Sequence, residues 1–436
     1  MSKEKRFSRT EWSWILYDWA NSIYATNISA AIFPILYAQV AGKGTLGDQL
    51  YGYAISLANL LVAVLSPYLG SIADFRGMKK KLWTGFMLLG VVFTAVMGLV
   101  GSWKLMLIGF VLSRIGFSGS CLFYDSFLTD VTTRERMDKV SAWGFAMGYI
   151  GGSTIPFLMS IAIMLLMNQS ETSMRIAVMI VPVWWLVFSI PFMCNVHQVS
   201  YVDTPPSELG RAAWKNTVST FRKILKDKAV LLFLLAYFFY IDGVDTIISM
   251  ATKYGDTLGL GAIGMILALL VTQLVAMPCS ILFGNLARKL SALKLITFAV
   301  LMYAFITVIG FLMGFLVDFH GMLGLSLEGA VSISSVLFWV LATLVGTVQG
   351  GIQALSRSYF GQLIPPERSG EYFGFMDIFG KFACVIGPAL YQLFYGITGK
   401  ACFGILSIIL LFILGFVFLQ KGRPHFRQAE HEALEG

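Results

Sequence analysis

The chain has 436 residues, of which 57% are apolar and 13% charged, with a formal net charge of +8. Soluble domains carry roughly 25% charged residues, and no single water-excluding core could absorb this much apolar surface. A soluble enzyme is therefore excluded, and so is a nucleic-acid-binding protein, because the basic excess is distributed by topology rather than gathered in one patch.

Crossing a bilayer core takes about 20 mostly apolar residues. Such runs predict helices near 12–40, 50–73, 82–101, 104–130, 140–168 and 175–195, then 229–252, 258–286, 294–317, 332–362, 372–398 and 401–421. The expected organisation is an N-terminal six-helix bundle over 1–195, a cytosolic linker with an amphipathic helix over 196–228, a C-terminal six-helix bundle over 229–421, and a cytosolic tail over 422–436. Alternate connections hold 24 Lys and Arg on one side against Lys43, Lys104, Arg175, Lys253 and Lys400 on the other. The positive-inside rule makes the richer side cytoplasmic, with both termini there. The first run contains an acid and several polar residues and no small-residue cleavage site, which predicts a retained helix rather than a signal peptide.

In the first predicted helix, Asp18, Asn21, Ser22, Ala25 and Ser29 share one face at 100° per residue. The second runs into Gly70-Ser71-Ile72-Ala73-Asp74-Phe75-Arg76-Gly77-Met78-Lys79-Lys80-Lys81. A lone acid among cytosolic basics suits the N-terminus of a facing helix; the alternative is that Arg76 to Lys81 are topology charges only. The fourth helix aligns Arg114, Ser118, Cys121 and Asp125, and the fifth carries Gly144, Gly148, Gly151 and Gly152 ahead of Pro156.

In the linker, Thr204-Pro205 reads as an N-cap followed by proline at the first helical position. Trp214, Val218, Phe221 and Leu225 then fall at helical spacing beside Arg222, Lys223, Lys226 and Lys228. That pattern predicts a surface helix at the membrane face, with a partner-binding segment as the alternative. The seventh helix repeats the first stripe with Asp242, Asp245, Thr246 and Ser249; the tenth aligns Gly346, Gly350, Gln353 and Arg357; on the eleventh, Asp377 and Lys381 are spaced for a salt bridge.

The halves read as copies. Gly70 to Asp74 is answered by Gly284-Asn285-Leu286-Ala287-Arg288, and Glu135-Arg136 with Gly148 and Pro156 by Glu367-Arg368 with Gly380 and Pro388. The five Cys lie inside predicted spans without a close pair, so neither a disulfide framework nor a thiolate zinc site is expected. The four His lie in loops or the tail. Gly116-Phe117-Ser118-Gly119 is followed by Ser120 and fails as a nucleophile elbow, and no nucleotide-binding loop is present.

The Gly70 to Lys81 stretch resembles the loop 2–3 signature of the major facilitator superfamily: Gly, three residues, Asp, two residues, Gly, then basics. The glycines of the fifth helix resemble that superfamily's glycine-rich helix motif. Tyr17-Asp18-Trp19-Ala20-Asn21-Ser22 resembles the opening of its vacuole-effluxer-like branch, named for a yeast vacuolar amino-acid exporter. The resemblance covers essentially the whole chain. It implies an all-α membrane protein of twelve transmembrane helices in two pseudo-symmetric six-helix bundles, with helices 1, 4, 7 and 10 lining a central cavity that opens alternately to either side. It also implies that Asp74 meets helix 11 near Tyr372, and that substrates are amino-acid-like.

At ~1.5 Å per residue, Arg114 lies ~15 Å from the outer end of its helix and Asp242 ~20 Å from the inner end of its own, both near the middle of a ~30 Å core. They could hold the two ends of a zwitterion, or an anion and a proton; the alternative is that they pair with each other or with a neighbouring helix. The expected substrate-binding set is Asp18, Asn21, Arg114, Ser118, Asp242, Asp245 and Gln353. The expected gating set is Gly70, Asp74, Arg76, Gly77 and Lys79, with Asp125 and Arg357 as an ion pair at the inner mouth, unless Asp125 meets Lys79 or Lys80. The expectation is a non-enzymatic secondary transporter or facilitator of a small polar solute, amino-acid-like or another organic zwitterion or anion. The alternative is an exporter of lipophilic drugs or lysolipid-like amphiphiles. No cofactor or metal is expected, and protons or sodium ions are the candidate coupling species. The partners are a small-molecule substrate and the lipid bilayer, with no nucleic acid; the protein is expected to be monomeric in a plasma (bacterial inner) membrane.

Overall fold

A computed structural model of the chain describes residues 6–42, 44–203 and 208–435. Lys43 and the Thr204-Pro205 cap lie outside the described residues. Twelve helices are long and apolar enough to cross a membrane: α1 Arg9–Ala41, α2 Gln49–Ala73, α3 Met78–Leu99, α4 Trp103–Ser126, α5 Arg134–Leu166 and α6 Glu171–Asn195, then α7 Lys228–Thr257, α8 Leu267–Leu290, α9 Ala292–Asp318, α10 Leu327–Leu363, α11 Pro366–Thr398 and α12 Ala401–His431. Each coincides with one of the twelve predicted runs. A separate linker helix occupies Leu209–Lys226. The only extended pairing among the described residues is one bridge between Phe75 and Val202.

Local chemistry sets several boundaries. Ser8 caps α1 in a reciprocal capping box with Glu11, and Asp227 caps α7 by accepting from the Ala229 and Val230 amides. Gly77 separates α2 from α3 at φ +71°, a left-handed conformation that a side chain would strain. α4 ends at Ser126, earlier than expected, and a short helix Leu128–Val131 follows it. At the other end of the chain, helix continues from Ile409 to Glu435, so the segment expected as a tail extends the last helix. Two helices change pitch within their length: α1 is π-helical over Tyr24–Ala31, and α5 over Gly148–Thr154.

The chain forms two compact units: Met1–Phe221 with Ile364–Ile378, and Arg222–Leu363 with Phe379–Gly436. The first therefore holds most of the linker helix and the N-terminal end of α11 as well as α1 to α6. Its core is aromatic, with Trp14, Tyr17, Trp83, Tyr124 and Trp185 fully buried; Trp14 stacks on Tyr124 at 4.4 Å and Trp83 on Phe192 at 4.1 Å. In the second unit Tyr303 stacks on Phe412 at 5.6 Å, and the Tyr240 hydroxyl lies 2.6 Å from Ser356 Oγ.

Candidate functional site

The polar groups of the first unit occupy three levels. Arg114 sits halfway along α4. Its Nη1 donates to Ser29 Oγ of α1 at 2.6 Å and its Nε to Asn59 Oδ1 of α2 at 3.3 Å. Both acceptors are neutral, and no carboxylate lies within ion-pair distance of Arg114 among the described residues. A charge at this depth costs ~2.5–3.5 kcal/mol or more to insert, and here no counter-ion offsets it.

Asp18 lies about 16 Å further along α1, at ~1.5 Å per residue. The Tyr124 hydroxyl of α4 donates to its Oδ2 at 2.8 Å. Next to it, Asn21 is buried and its Nδ2 has no hydrogen-bond partner among the described residues. α5 approaches this level so closely that a Cβ on Gly151 would overlap the Trp19 ring and one on Gly152 the Ser22 side chain. Asn27 Nδ2 donates across the same seam to Ser160 Oγ at 2.8 Å. Of the stripe expected from Asp18 to Ser29, Asp18 meets Tyr124 and Ser29 meets Arg114, both on α4, at two depths. Between them α1 is π-helical, with wider i→i+5 turns.

The third level is the connection between α2 and α3. Asp74 is 3% exposed; its Oδ1 accepts the Gly370 amide at 2.7 Å and its Oδ2 the Glu371 amide at 2.9 Å. The regular turns of α11 begin at Ser369, after a 3-10 turn over Pro366–Arg368, so these amides belong to its first α-helical turn, the positive end of that helix, where N–H groups lack partners within the helix. Gly70 makes the approach possible, because a Cβ there would overlap the Gly370 carbonyl. Burial pushes the Asp74 carboxyl up to about 8, against the opposing pull of Lys79 and the two amides. Lys79, fully buried, pairs with Asp130 at 2.7 Å and donates to Ser369 Oγ at 2.8 Å. Its carboxylate partner is therefore Asp130, not Asp125. Asp130 also accepts the Val199 and Ser200 amides at 3.1 and 2.8 Å, and Arg76 lies over the Tyr201 ring. The start of the linker is thereby tied to the same loop. Ser66 of α2 donates to Asp377 Oδ2.

In the second unit Asp242 is fully buried on α7. Its two oxygens lie 3.0 and 3.1 Å from the Gly387 amide of α11, and Thr246 donates to Oδ1 at 3.3 Å. No cation is within ion-pair distance of Asp242 among the described residues. The alternative, pairing with a charge on a neighbouring helix, is not seen for Asp242 within its unit or for Arg114 within the other, among the described residues. Asp245, Ser118 and Gln353 are half-buried, and Arg357 is buried on α10. Asp125 and Arg357 belong to different units.

The second unit also encloses a cavity of about 100 Å³ between α7, α8, α9, α10 and α12, lined by Tyr254, Thr272, Gln273, Met313, Phe338 and Gln349 among others. Its walls are mainly apolar, but Gln273 Oε1 is buried there without a hydrogen-bond partner among the described residues. No cluster of three or more His, Cys, Asp or Glu that could hold a metal occurs among the described residues.

Sequence reasoning missed Asn59, Tyr124, Asp130 and Gly387. Asn59 had a signal, a lone amide in an apolar run; Tyr124 and Gly387 had none, since their partners come from other helices.

The family described as vacuole effluxer Atg22 like matches residues 49–132 and 129–422. The uncharacterized MFS-type transporter YxiO of Bacillus subtilis (strain 168) is 42% identical over 428 residues, 95% of either chain. Autophagy-related protein 22-1 of Neosartorya fischeri is 26% identical over 287 residues, which cover 60% of this chain and 44% of that longer one. Among solved structures, the human organic anion transporter MFSD10 (TETRAN) superposes with a TM-score of 0.67 at 14% identity, over 94% of this chain and 99% of its own. The proton:xylose symporter XylE does so with 0.69 at 12% identity, over 95% of each. At such identities the likeness shows the fold.

Proposed function

Because the chain belongs to the Atg22-like vacuole-effluxer family of major facilitator superfamily transporters, we propose that it carries a small organic anion or zwitterion, amino-acid-like in its charged end, by alternating access. The observation that carries this reading is Arg114, a guanidinium halfway through a membrane helix whose partners are only the neutral oxygens of Ser29 and Asn59. A planar fork held by weak acceptors is ready to exchange them for a carboxylate, which makes two charge-assisted bonds at once. Asn21 offers an unused donor one level further in. Asp242, buried without a cation, is suited to a substrate ammonium or to a coupling proton.

On this reading Asp74 and the first-turn amides of α11 form the inner gate, with Lys79 and Asp130 holding the loop in shape. The distribution of basic residues supports cytosolic termini and a cell-membrane location. The effluxer of the family description makes export the direction to test first. An unbiased uptake and efflux screen in proteoliposomes, with and without a proton gradient, tests the function. Arg114→Gln and Asp242→Asn should each abolish transport of the substrate found while leaving expression and monodispersity intact. Near-normal transport in both variants would sink the reading. The second reading, an exporter of lipophilic amphiphiles, draws on the apolar cavity of the second unit; it is favoured if the screen yields uncharged amphiphiles whose transport survives Arg114→Gln.

A further inference from the structure

The linker helix divides its circumference among four environments. One side is held by the first unit. Ser71 Oγ donates to the Ala213 carbonyl at 3.1 Å, Thr217 Oγ1 reaches the Pro67 carbonyl at 3.5 Å, and Thr220 Oγ1 donates to Glu371 Oε2 at 2.9 Å. Phe221 stacks on Phe375 at 5.9 Å. Pro67 and Phe375 lie about two turns from the C-terminal end of α2 and the N-terminal end of α11, so the helix rests against the flank of those two spans.

With Trp214 set at 0° and 100° per residue, the protein-facing Ala213, Thr217, Thr220 and Ile224 fall between about −60° and −120°. Trp214, Val218, Phe221 and Leu225 fall within about 40° of zero. Three of them are large and exposed: Trp214 at 64%, Phe221 at 50% and Leu225 at 52%. Arg211, Arg222, Lys215 and Lys226 follow at about 60–120°, and Ser219 and Lys223 at about 140–180°. None of those four basic residues has an ion-pair partner among the described residues. Protein, then apolar, then basic, then polar is the sequence of surroundings met by a helix lying along the rim of a membrane protein. Acyl chains lie below it, headgroups beside it and water above.

We propose that the linker helix is a seat for anionic phospholipid headgroups, and that lipid bound there holds the inner end of α11 on the first unit. Trp214, Phe221 and Leu225 enter the acyl boundary, while Arg211, Lys215, Arg222 and Lys226 take the phosphates. The transmission runs through Thr220, which bonds Glu371 in the first turn of α11 and receives Arg368 Nη1 at 3.4 Å. Glu371 supplies one of the two amides on Asp74, so the lipid seat and the proposed gate share that turn. The inference does not depend on what Arg114 binds.

The test uses the full chain in vesicles of phosphatidylcholine alone or with phosphatidylglycerol added. Amide hydrogen exchange over 364–378 reports docking of the α11 end, and a spin label at Val218→Cys reports depth. In phosphatidylglycerol, exchange over 364–378 should slow on the order of threefold or more, given that each basic residue near an anionic surface contributes measurably. The slowing should vanish in about 1 M salt, where the screening length is ~3 Å, and the label should be lipid-immersed. The combined Arg211→Gln, Lys215→Gln, Arg222→Gln and Lys226→Gln variant should lose the lipid dependence while exchange in α4 stays unchanged. The lipid titration of the unmodified chain stands by itself if that variant fails to fold. Equal exchange in both lipids overturns the proposal, and so does a water-exposed label at 218, which would mark the stripe as a surface for a soluble partner.

Discussion

Replacing Asp74 with alanine removes the acceptor of two buried amides at once, those of Gly370 and Glu371, at 2.7 and 2.9 Å. A buried N–H left without an acceptor costs ~1–3 kcal/mol. Water entering the vacated space recovers part of that, which leaves about 2 kcal/mol for the pair, or roughly 30-fold in the docked-to-released equilibrium of the α11 end. Hydrogen exchange at those two amides reads the equilibrium directly, because local opening controls it. The expected result is acceleration by about 30-fold at 370 and 371 with exchange in α3 and α4 unaltered. The docked carboxyl is pushed up to about 8 by burial, whereas a released one titrates near ~3.9. The docked end therefore binds a proton that the released end gives up between those values, so docking weakens as pH rises through the window to about 8. Asp74→Asn keeps one acceptor oxygen and is neutral throughout, so it should accelerate exchange at one of the two amides, by less than alanine does over the pair, and show no such pH dependence after correction for intrinsic exchange. Acceleration of less than about threefold in Asp74→Ala would refute the reasoning, since even one unsatisfied amide exceeds that.

Arg114→Lys should rescue transport poorly compared with the native residue, because an ammonium lacks the planar fork; uptake kinetics on the substrate from the screen measure it. Asp125→Arg and Arg357→Asp should each impair transport, and the double exchange should restore a good part of it if the two pair during the cycle. A double variant as impaired as the singles removes that pairing. Lys253→Cys should react with an impermeant thiol reagent from outside intact cells; labelling only after permeabilisation would reverse the orientation drawn from the basic loops.

Composition and apolar periodicity were enough for the twelve spans, because hydrocarbon demands long helices with satisfied backbones. The Asp74 contact was legible too: a single acid followed by Gly77 and a basic run has few uses other than a helix end. Other features required tertiary information. The change of pitch over Tyr24–Ala31 is one, since nothing in the residues of α1 announces wider turns. Asp130 was overlooked in favour of Asp125 because the break after Ser126 places the later acid under Lys79. Gly387 reads as one more small residue before a proline; its role appears only with α7 beside it, where a Cβ would stand 2.8 Å from Asp242 Oδ1.

α11 is claimed by both units: its residues through Ile378 pack with the first and those from Phe379 onward with the second. A helix shared in this way links its two ends through its own backbone. Its N-terminal grip is the Asp74 cap with the close crossings at Gly70 and Gly374, and the shaft beyond that grip carries Gly380. Stiffening the shaft without touching either grip should change how fast the machine cycles while leaving what it binds unaltered.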